Sequence, residues 1–285
     1  MTEKARPGAR VAASGIPKGR KAASGLQGYS LPRTATGASS LVPAPPWHYV
    51  GDFLVIEYWA DPAAVAAVLP EGLEPHADPG RCAALFVDWQ SCSDSGDELL
   101  EPARGQYKEF FIVVNAMLDG EAVTTCPYIW VDKDFALARG WIQGFPKKLA
   151  QIDMTRSFGL DCRAEGRTFA GTVTANGHRV AQGSVAPERV SEAGPTHNDP
   201  PLVNRRHFPR LAAGRHADPA VHELVRARSR DRSISAIHEG PVTLELFDAP
   251  AEEHAALAPV RMGKGFRFQF AYTVDDIETV RELRS

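Results

Sequence analysis

From Trp47 onward the chain alternates short runs rich in Val, Ile, Thr and aromatic residues with clusters of Gly, Pro, Asp and Asn. That alternation is the pattern of strands joined by turns. The runs are WHYVGDFLVIEYW at 47–59, CAALFVDWQ at 82–90, YKEFFIVVNAML at 107–118, AVTTCPYIWV at 122–131 and LAQIDMTRSF at 149–158. They continue with TFAGTVTANGHRVAQGSVAP at 168–187, SISAIHEGPVTLELF at 233–247 and GFRFQFAYTV at 265–274. Asn176-Gly177, set between two alternating runs, is the clearest hairpin turn, because both residues tolerate the positive φ that such a turn requires.

Helical signals are few. Asp61 can cap a helix whose first turn accepts Pro62, the alanines of AAVAAVLP propagate it, and Pro70 stops it, predicting a helix over 61–69. Further helices are expected near 133–140, over 218–227, and in the C-terminal VDDIETVRELR with Asp275 near its start. Mostly antiparallel strands with peripheral helices predict an α+β fold, its sheets closed or stacked, barrel- or cone-like, around a central cavity. Residues 1–45 read as a basic, flexible arm: Lys4, Arg6, Arg10, Lys18, Arg20 and Lys21 face the single acid Glu3 in a Gly, Ala and Ser background. Residues 46–285 then form one catalytic domain, with 188–220 as its most irregular stretch.

At 285 residues and 44% hydrophobic, the chain can bury a sizeable core, and its formal net charge of −3 gives no overall pull toward nucleic acid or an anionic membrane. No apolar run reaches the length of a membrane span and the N-terminus lacks a secretory core, so cytoplasmic residence is expected. Cys82, Cys92, Cys126 and Cys162 lack the spacing of a zinc or thioredoxin site and are expected to be free thiols. His48 is expected to bond locally, and neither His207 nor His238 has a partner at metal-ligand spacing, so no metal is expected.

The chemistry concentrates in GWIQGFPKKLAQ, residues 140–151, where two lysines follow a proline inside an otherwise uncharged stretch. A lysine attacks a carbonyl only as the free amine, so its pKa must fall from its ordinary value, through burial or a neighbouring positive charge. GFPKKL at 144–149 resembles the acetoacetate decarboxylase superfamily. VIEYWADPAAVAAVLPEGLEP before it and GPVTLELFDAP after it also resemble the family, in family order. Acetoacetate decarboxylase is itself the standard example of a lysine activated in this way, so the mechanism comes from the resemblance and not from the spacing. The resemblance implies that Lys147 forms a Schiff base with a keto acid and that Lys148 is its charged neighbour. Adjacent residues of a strand point to opposite faces, however, so Phe145 and Trp141 are expected to desolvate Lys147 as apolar walls.

The sequence departs from a simple decarboxylase at two places. Family decarboxylases carry a Gly-Arg-Glu run before the lysines, where this chain has Ala138-Arg139-Gly140-Trp141-Ile142-Gln143. Their early arginine aligns with Gly51. Gln143 places an amide near Lys147 and resembles the aldolase-dehydratase-like members. Glu109 follows Tyr107 at strand spacing, so both can face the same cavity, Glu109 as acid/base and Tyr107 as wall. Gln90 is a candidate polar wall residue, Tyr272 a candidate hydroxyl donor, and Arg139 a candidate for the substrate carboxylate or for a structural role. Asp97, Glu98 and Glu101 are loop acids that could reach the cavity.

The resemblance implies a lyase acting on a 2-oxo or 3-oxo acid, by aldol addition and dehydration with an aldehyde as second substrate, or by the reverse retro-aldol cleavage. Decarboxylation of a β-keto acid shares the imine and is the alternative; a binding protein without turnover is the alternative from another class. No organic cofactor is expected, because the protonated imine is itself the electron sink. The resemblance also implies a homo-oligomer.

Overall fold

A computed structural model describes residues 25–156, 158, 167–196, 200–212, 214 and 218–283. The first strand, β1 (Trp47–Trp59), is followed by α1 (Pro62–Ala67), the short β2 (Glu74–Pro75) and β3 (Arg81–Ser93). Next come α2 (Asp97–Leu100), β4 (Gln106–Leu118), β5 (Glu121–Val131), α3 (Asp134–Ile142) and β6 (Lys147–Leu149). A meander follows: β7 (Gln151–Met154), β8 (Phe169–Ala175), β9 (His178–Val185) and β10 (Arg189–Val190). The chain ends with β11 (Val203–Phe208), β12 (Val221–Ile234), β13 (His238–Gly240), β14 (Val242–Leu246) and the long β15 (Arg261–Glu282).

The strands form an eleven-stranded sheet, in the order β10-β13-β15-β1-β3-β4-β5-β6 with β12 and β11 added beside β15 and β2 beside β4, and a four-stranded sheet β14-β9-β8-β7. Pairing is antiparallel except where β6 runs parallel to β5. The fold is α+β, as expected, but the large sheet does not close into a barrel. Its two ends approach at an isolated parallel bridge between Thr124 and Leu202, beside which Asn204 Oδ1 accepts the Cys126 N–H at 3.0 Å.

Central strands of the large sheet are buried on both faces, so they read as continuous apolar runs instead of alternating ones. Along β3, Ala84 and Phe86 face the small sheet, whereas Leu85, Val87 and Trp89 face the other side, where α3 packs. Phe86 is fully buried. Truncating such a side chain costs about 3–5 kcal/mol. The α3 face carries the residues of the candidate site.

Local expectations hold at several points. Asp61 Oδ1 accepts the Ala63 N–H at 2.8 Å and caps α1, and Asn176 and Gly177 turn the β8–β9 hairpin with φ of 50° and 82°. Two expected helices are strands instead: 218–227 runs into β12, and VDDIETVRE, the described part of the C-terminal segment up to residue 282, is the end of β15. The two segments pair with each other, and their charges are complementary across the ladder, Arg226 with Glu278 at 3.1 Å and Arg230 with Asp275 at 2.8 Å. Cross-strand partners distant in sequence override the local helical pattern.

Residues 1–24 of the expected arm lie outside the described residues. Residues 25–46 fold on themselves: Gln27 and Thr34 pair backbone to backbone, and Ser30 Oγ accepts the Val42 N–H at 2.7 Å. Val42 is buried against the cluster containing Trp47 and Tyr107, and Tyr29 stands edge-on to Trp47. Cys82, Cys92 and Cys126 are free thiols; Cys162 lies outside the described residues. Among the described residues no helix is long and apolar enough to cross a membrane.

Candidate active site

The segment β5–α3–β6 is a parallel crossover, and it decides where the two lysines point. Lys147 pairs with Ile129 and Lys148 with Trp130. Ile129 belongs to the cluster on the α3 side of the sheet and Trp130 to the cluster beneath the small sheet. The strand's two-residue alternation therefore sends Lys147 into the α3 side and Lys148 away from it. Lys147 is only 7% exposed; Lys148, 48% exposed along its side chain, binds Glu252 Oε1 at 2.7 Å and the Ala251 carbonyl at 3.2 Å. Lys148 fastens β6 to the turn at 249–252 and takes no part in the cavity.

The Lys147 side chain lies along α3 at Gly140. A Cβ there would fall 2.2 Å from Lys147 Cδ and 2.6 Å from Cε, so only glycine leaves the lysine its path. Gly144, with φ of 84°, turns the chain out of α3, and Phe145 N–H bonds the Gly140 carbonyl at 2.9 Å. Lys147 Nζ then reaches Glu109 Oε2 at 2.5 Å and lies 5.4 Å from the ring centre of Tyr107 and 5.6 Å from that of Phe145. Trp141 is placed differently from expectation. It is 48% exposed and is not a cavity wall; its indole donates to the Lys147 carbonyl at 2.9 Å, holding the backbone of the lysine from outside.

Burial is the largest influence on Lys147 and pulls its pKa down; Glu109 opposes this by charge and hydrogen bond, and Arg139 adds to it. The net direction is down, toward the free amine. The cationic neighbour of Lys147 is thus Arg139, and not Lys148.

Arg139 is 3% exposed, and its guanidinium sits 4.7 Å from the ring centre of Tyr49 and 5.6 Å from those of Tyr107 and Phe135. Its Nη2 donates to Ser91 Oγ at 3.1 Å. Among the described residues no carboxylate lies within ion-pair distance of it. A buried guanidinium in an aromatic box with donors to spare is suited to a carboxylate, which it can bind through two parallel hydrogen bonds.

Tyr107 and Glu109 share one face of β4, as their spacing predicts, and Trp89 stands on the neighbouring strand opposite Tyr107. Its indole donates to Glu109 Oε1 at 3.2 Å. Tyr272 stacks on Tyr49 at 5.0 Å, its direct partner across β15 and β1, and burial raises the pKa of both hydroxyls. Gln143 is buried at the end of α3 beside Tyr49 and donates to the Arg139 carbonyl at 3.3 Å, anchoring its helix.

Gln90 is on the wrong face. It lines an open groove of about 420 Å³ with Asp88, Gln106 and Gln269, on the face of the sheet opposite the cluster in which the Trp89 ring packs. Glu98 is buried but accepts the Ser93 N–H and hydroxyl, each at 3.0 Å. Asp97 and Glu101 flank it on the surface side. The site residues missed from sequence are Ser91, Trp89, Tyr49 and Gly140. Strand parity carried a signal for two of them, because Trp89 and Ser91 alternate with Gln90 and face the side that Tyr107 and Glu109 define. His48 bonds Thr273 and Asp94 and stands apart from the cavity.

A family model described as acetoacetate decarboxylase matches residues 30–283. The chain belongs to the acetoacetate decarboxylase family. The acetoacetate decarboxylase of Acidiphilium cryptum (strain JF-5) is 26% identical over 238 residues, covering 81% of this chain and 83% of its own. The enduracididine biosynthesis enzyme MppR is 35% identical, in a structure with the condensation product of pyruvate and imidazole 4-carboxaldehyde. That superposition has a TM-score of 0.85 and covers 93% of this chain and 100% of MppR. An acetoacetate decarboxylase-like enzyme from Sphingomonas wittichii RW1 is 26% identical, with a TM-score of 0.82 over 90% of this chain and 100% of that one.

Proposed function

We propose that this protein is a lyase that binds a 2-oxo acid as a Schiff base on Lys147 and adds it to an aldehyde with loss of water. The observation that carries the proposal is the placement of three groups in one buried cluster: an amine whose burial pulls its pKa down, a carboxylate 2.5 Å from it, and a guanidinium without a carboxylate partner among the described residues. The amine of Lys147 attacks the C2 carbonyl; water leaves, and a protonated imine remains. Glu109 takes a proton from C3, the C–H electron pair becomes the C2=C3 bond, and the imine π pair moves to nitrogen. The resulting enamine attacks the aldehyde carbon, and Glu109 returns its proton to the alkoxide, leaving a hydroxyl and a protonated imine. Glu109 then removes the second C3 proton to re-form the enamine and delivers it to that hydroxyl, which leaves as water as the new carbon–carbon double bond and the protonated imine form; hydrolysis releases an unsaturated 2-oxo acid and free Lys147.

Arg139 favours this course over decarboxylation. A guanidinium that holds a carboxylate stabilises it in the ground state, which opposes its departure as CO2 and suits a reaction that keeps it. The MppR complex with a pyruvate–aldehyde product, at 35% identity, supports the same reading. Decarboxylation of a β-keto acid is the second reading, supported by the 26% identical decarboxylase and served by the same imine.

Incubation with pyruvate and imidazole 4-carboxaldehyde, followed by product mass, is the test. Formation of the dehydrated condensation product is expected. CO2 release from acetoacetate without any condensation across a panel of aldehydes would favour the second reading.

A further inference from the structure

Glu109 receives two side-chain hydrogen bonds among the described residues, one on each oxygen: Lys147 Nζ on Oε2 at 2.5 Å and Trp89 Nε1 on Oε1 at 3.2 Å. The first weakens during the reaction: the nitrogen of the protonated imine keeps a single N–H and is bonded to substrate carbon, and in the neutral enamine its charge is gone. The indole is the donor that stays unchanged throughout.

We propose that Trp89 is a positioning residue that holds the Glu109 carboxylate through the proton-transfer steps; this rests on the imine reading above. The fold directs the indole to this task. Trp89 lies between Tyr107 on β4 and Gly51 on β1 in the ladder. A Cβ on residue 51 would fall 2.7 Å from the Cε3 and 2.9 Å from the Cζ3 of the indole and 2.8 Å from Cγ1 of Val87, so the six-membered ring, with Val87 beside it, occupies the space that a side chain at 51 would need. Phe53 at 5.0 Å, Tyr49 at 5.7 Å and Tyr272 at 5.9 Å set their rings edge-to-face with it, and Tyr107 stacks at 6.3 Å. These contacts fix the ring plane and therefore the direction of the N–H. A hydrogen bond to a charged acceptor in a dry site is among the stronger ones, and a pre-set donor needs no reorganisation during the reaction.

The indole keeps its own proton. In the step it supports, the C3–H bond of the imine breaks, the proton passes to Glu109 Oε2, and the electron pair forms the enamine double bond. Reversal in D2O returns deuterium to C3. With one oxygen held by Trp89, the other is aimed at C3; without it, the carboxylate rotates about its χ angles and the transfer slows.

The test separates imine formation from proton transfer, with pyruvate as the probe. Trp89→Phe keeps the ring and removes the donor; Gly51→Ala keeps the donor and displaces it. For each, the borohydride-trapped adduct on Lys147 is quantified by mass, and C3 exchange of pyruvate in D2O is followed by NMR as a rate per adduct. Adduct yield is expected to stay within about two-fold, while exchange per adduct falls about ten- to a hundred-fold in both variants. Exchange per adduct at the parent rate in Trp89→Phe overturns the proposal. So does a parallel loss of adduct and exchange in both variants, which would make Trp89 merely structural. Absence of any adduct in the unsubstituted protein would instead overturn the imine reading.

Discussion

Gly140→Ala is a one-carbon change on α3 whose effect follows from the path of the Lys147 side chain. The added Cβ would meet Cδ, Cε and Cγ of Lys147 at 2.2, 2.6 and 2.7 Å, about an ångström or more inside ordinary contact. The helix is pinned by its packing, so the lysine must move, and its amine leaves Glu109, now 2.5 Å away. A displacement of about 1 Å from productive geometry costs on the order of 100-fold in rate, equivalent to ~2.7 kcal/mol of transition-state stabilisation. Stability should change less: overpacking costs about 1–3 kcal/mol, offset by the roughly 1 kcal/mol that alanine gains over glycine inside a helix. Timed borohydride trapping with pyruvate reads the first quantity and thermal unfolding the second. An adduct formed at the parent rate in a folded Gly140→Ala protein would overturn this expectation, because the lysine would then have another route to the cavity.

Three further outcomes follow from the same geometry. Glu109 raises the Lys147 pKa by charge and hydrogen bond, so Glu109→Gln should move the rising limb of adduct formation to lower pH, while C3 exchange falls about 10²–10⁴-fold; a limb that moves upward contradicts the assignment. Arg139 acts in the opposite sense. Arg139→Gln should shift the same limb to higher pH and weaken binding of the 2-oxo acid by about 13- to 160-fold, measured as half-saturation of trapping, the scale of hydrogen bonds to a charged group. Lys148→Ala should leave the pH dependence and the trapping rate of Lys147 in place and lower stability by about 1–3 kcal/mol, because it strips the partner from a Glu252 side chain that is only 4% exposed.

The parts of this protein that local sequence determines were legible. The Asp61-Pro62 helix start, the Asn176-Gly177 hairpin and the Tyr107–Glu109 face each depend on neighbours within a few residues, and each is present in the structure. A short motif singled out Lys147, which is buried in the structure, and strand alternation already argued that Lys148 points elsewhere.

What failed depends on partners far along the chain. Gln90 and Trp89 are adjacent, and only the register of β3 with β4 tells which of them faces Glu109. Residues 218–227 and 274–282 hold charge patterns that read as helical until each strand is given the other as its partner. Trp141 looked like a wall because it is apolar and near Lys147 in sequence; its position on α3 turns it outward, where its indole meets the Lys147 carbonyl. The availability of the Arg139 guanidinium was invisible for the opposite reason: the absence of a carboxylate partner among the described residues is a property of the folded site alone.

The mechanism depends first on Lys147, and not Lys148, being the amine that captures the keto acid. Borohydride reduction in the presence of pyruvate, followed by peptide mass mapping, tests it directly. A reduced pyruvyl adduct on Lys147 is expected, lost in Lys147→Ala and kept in Lys148→Ala. An adduct on Lys148, or one that survives Lys147→Ala at the parent yield, would contradict it.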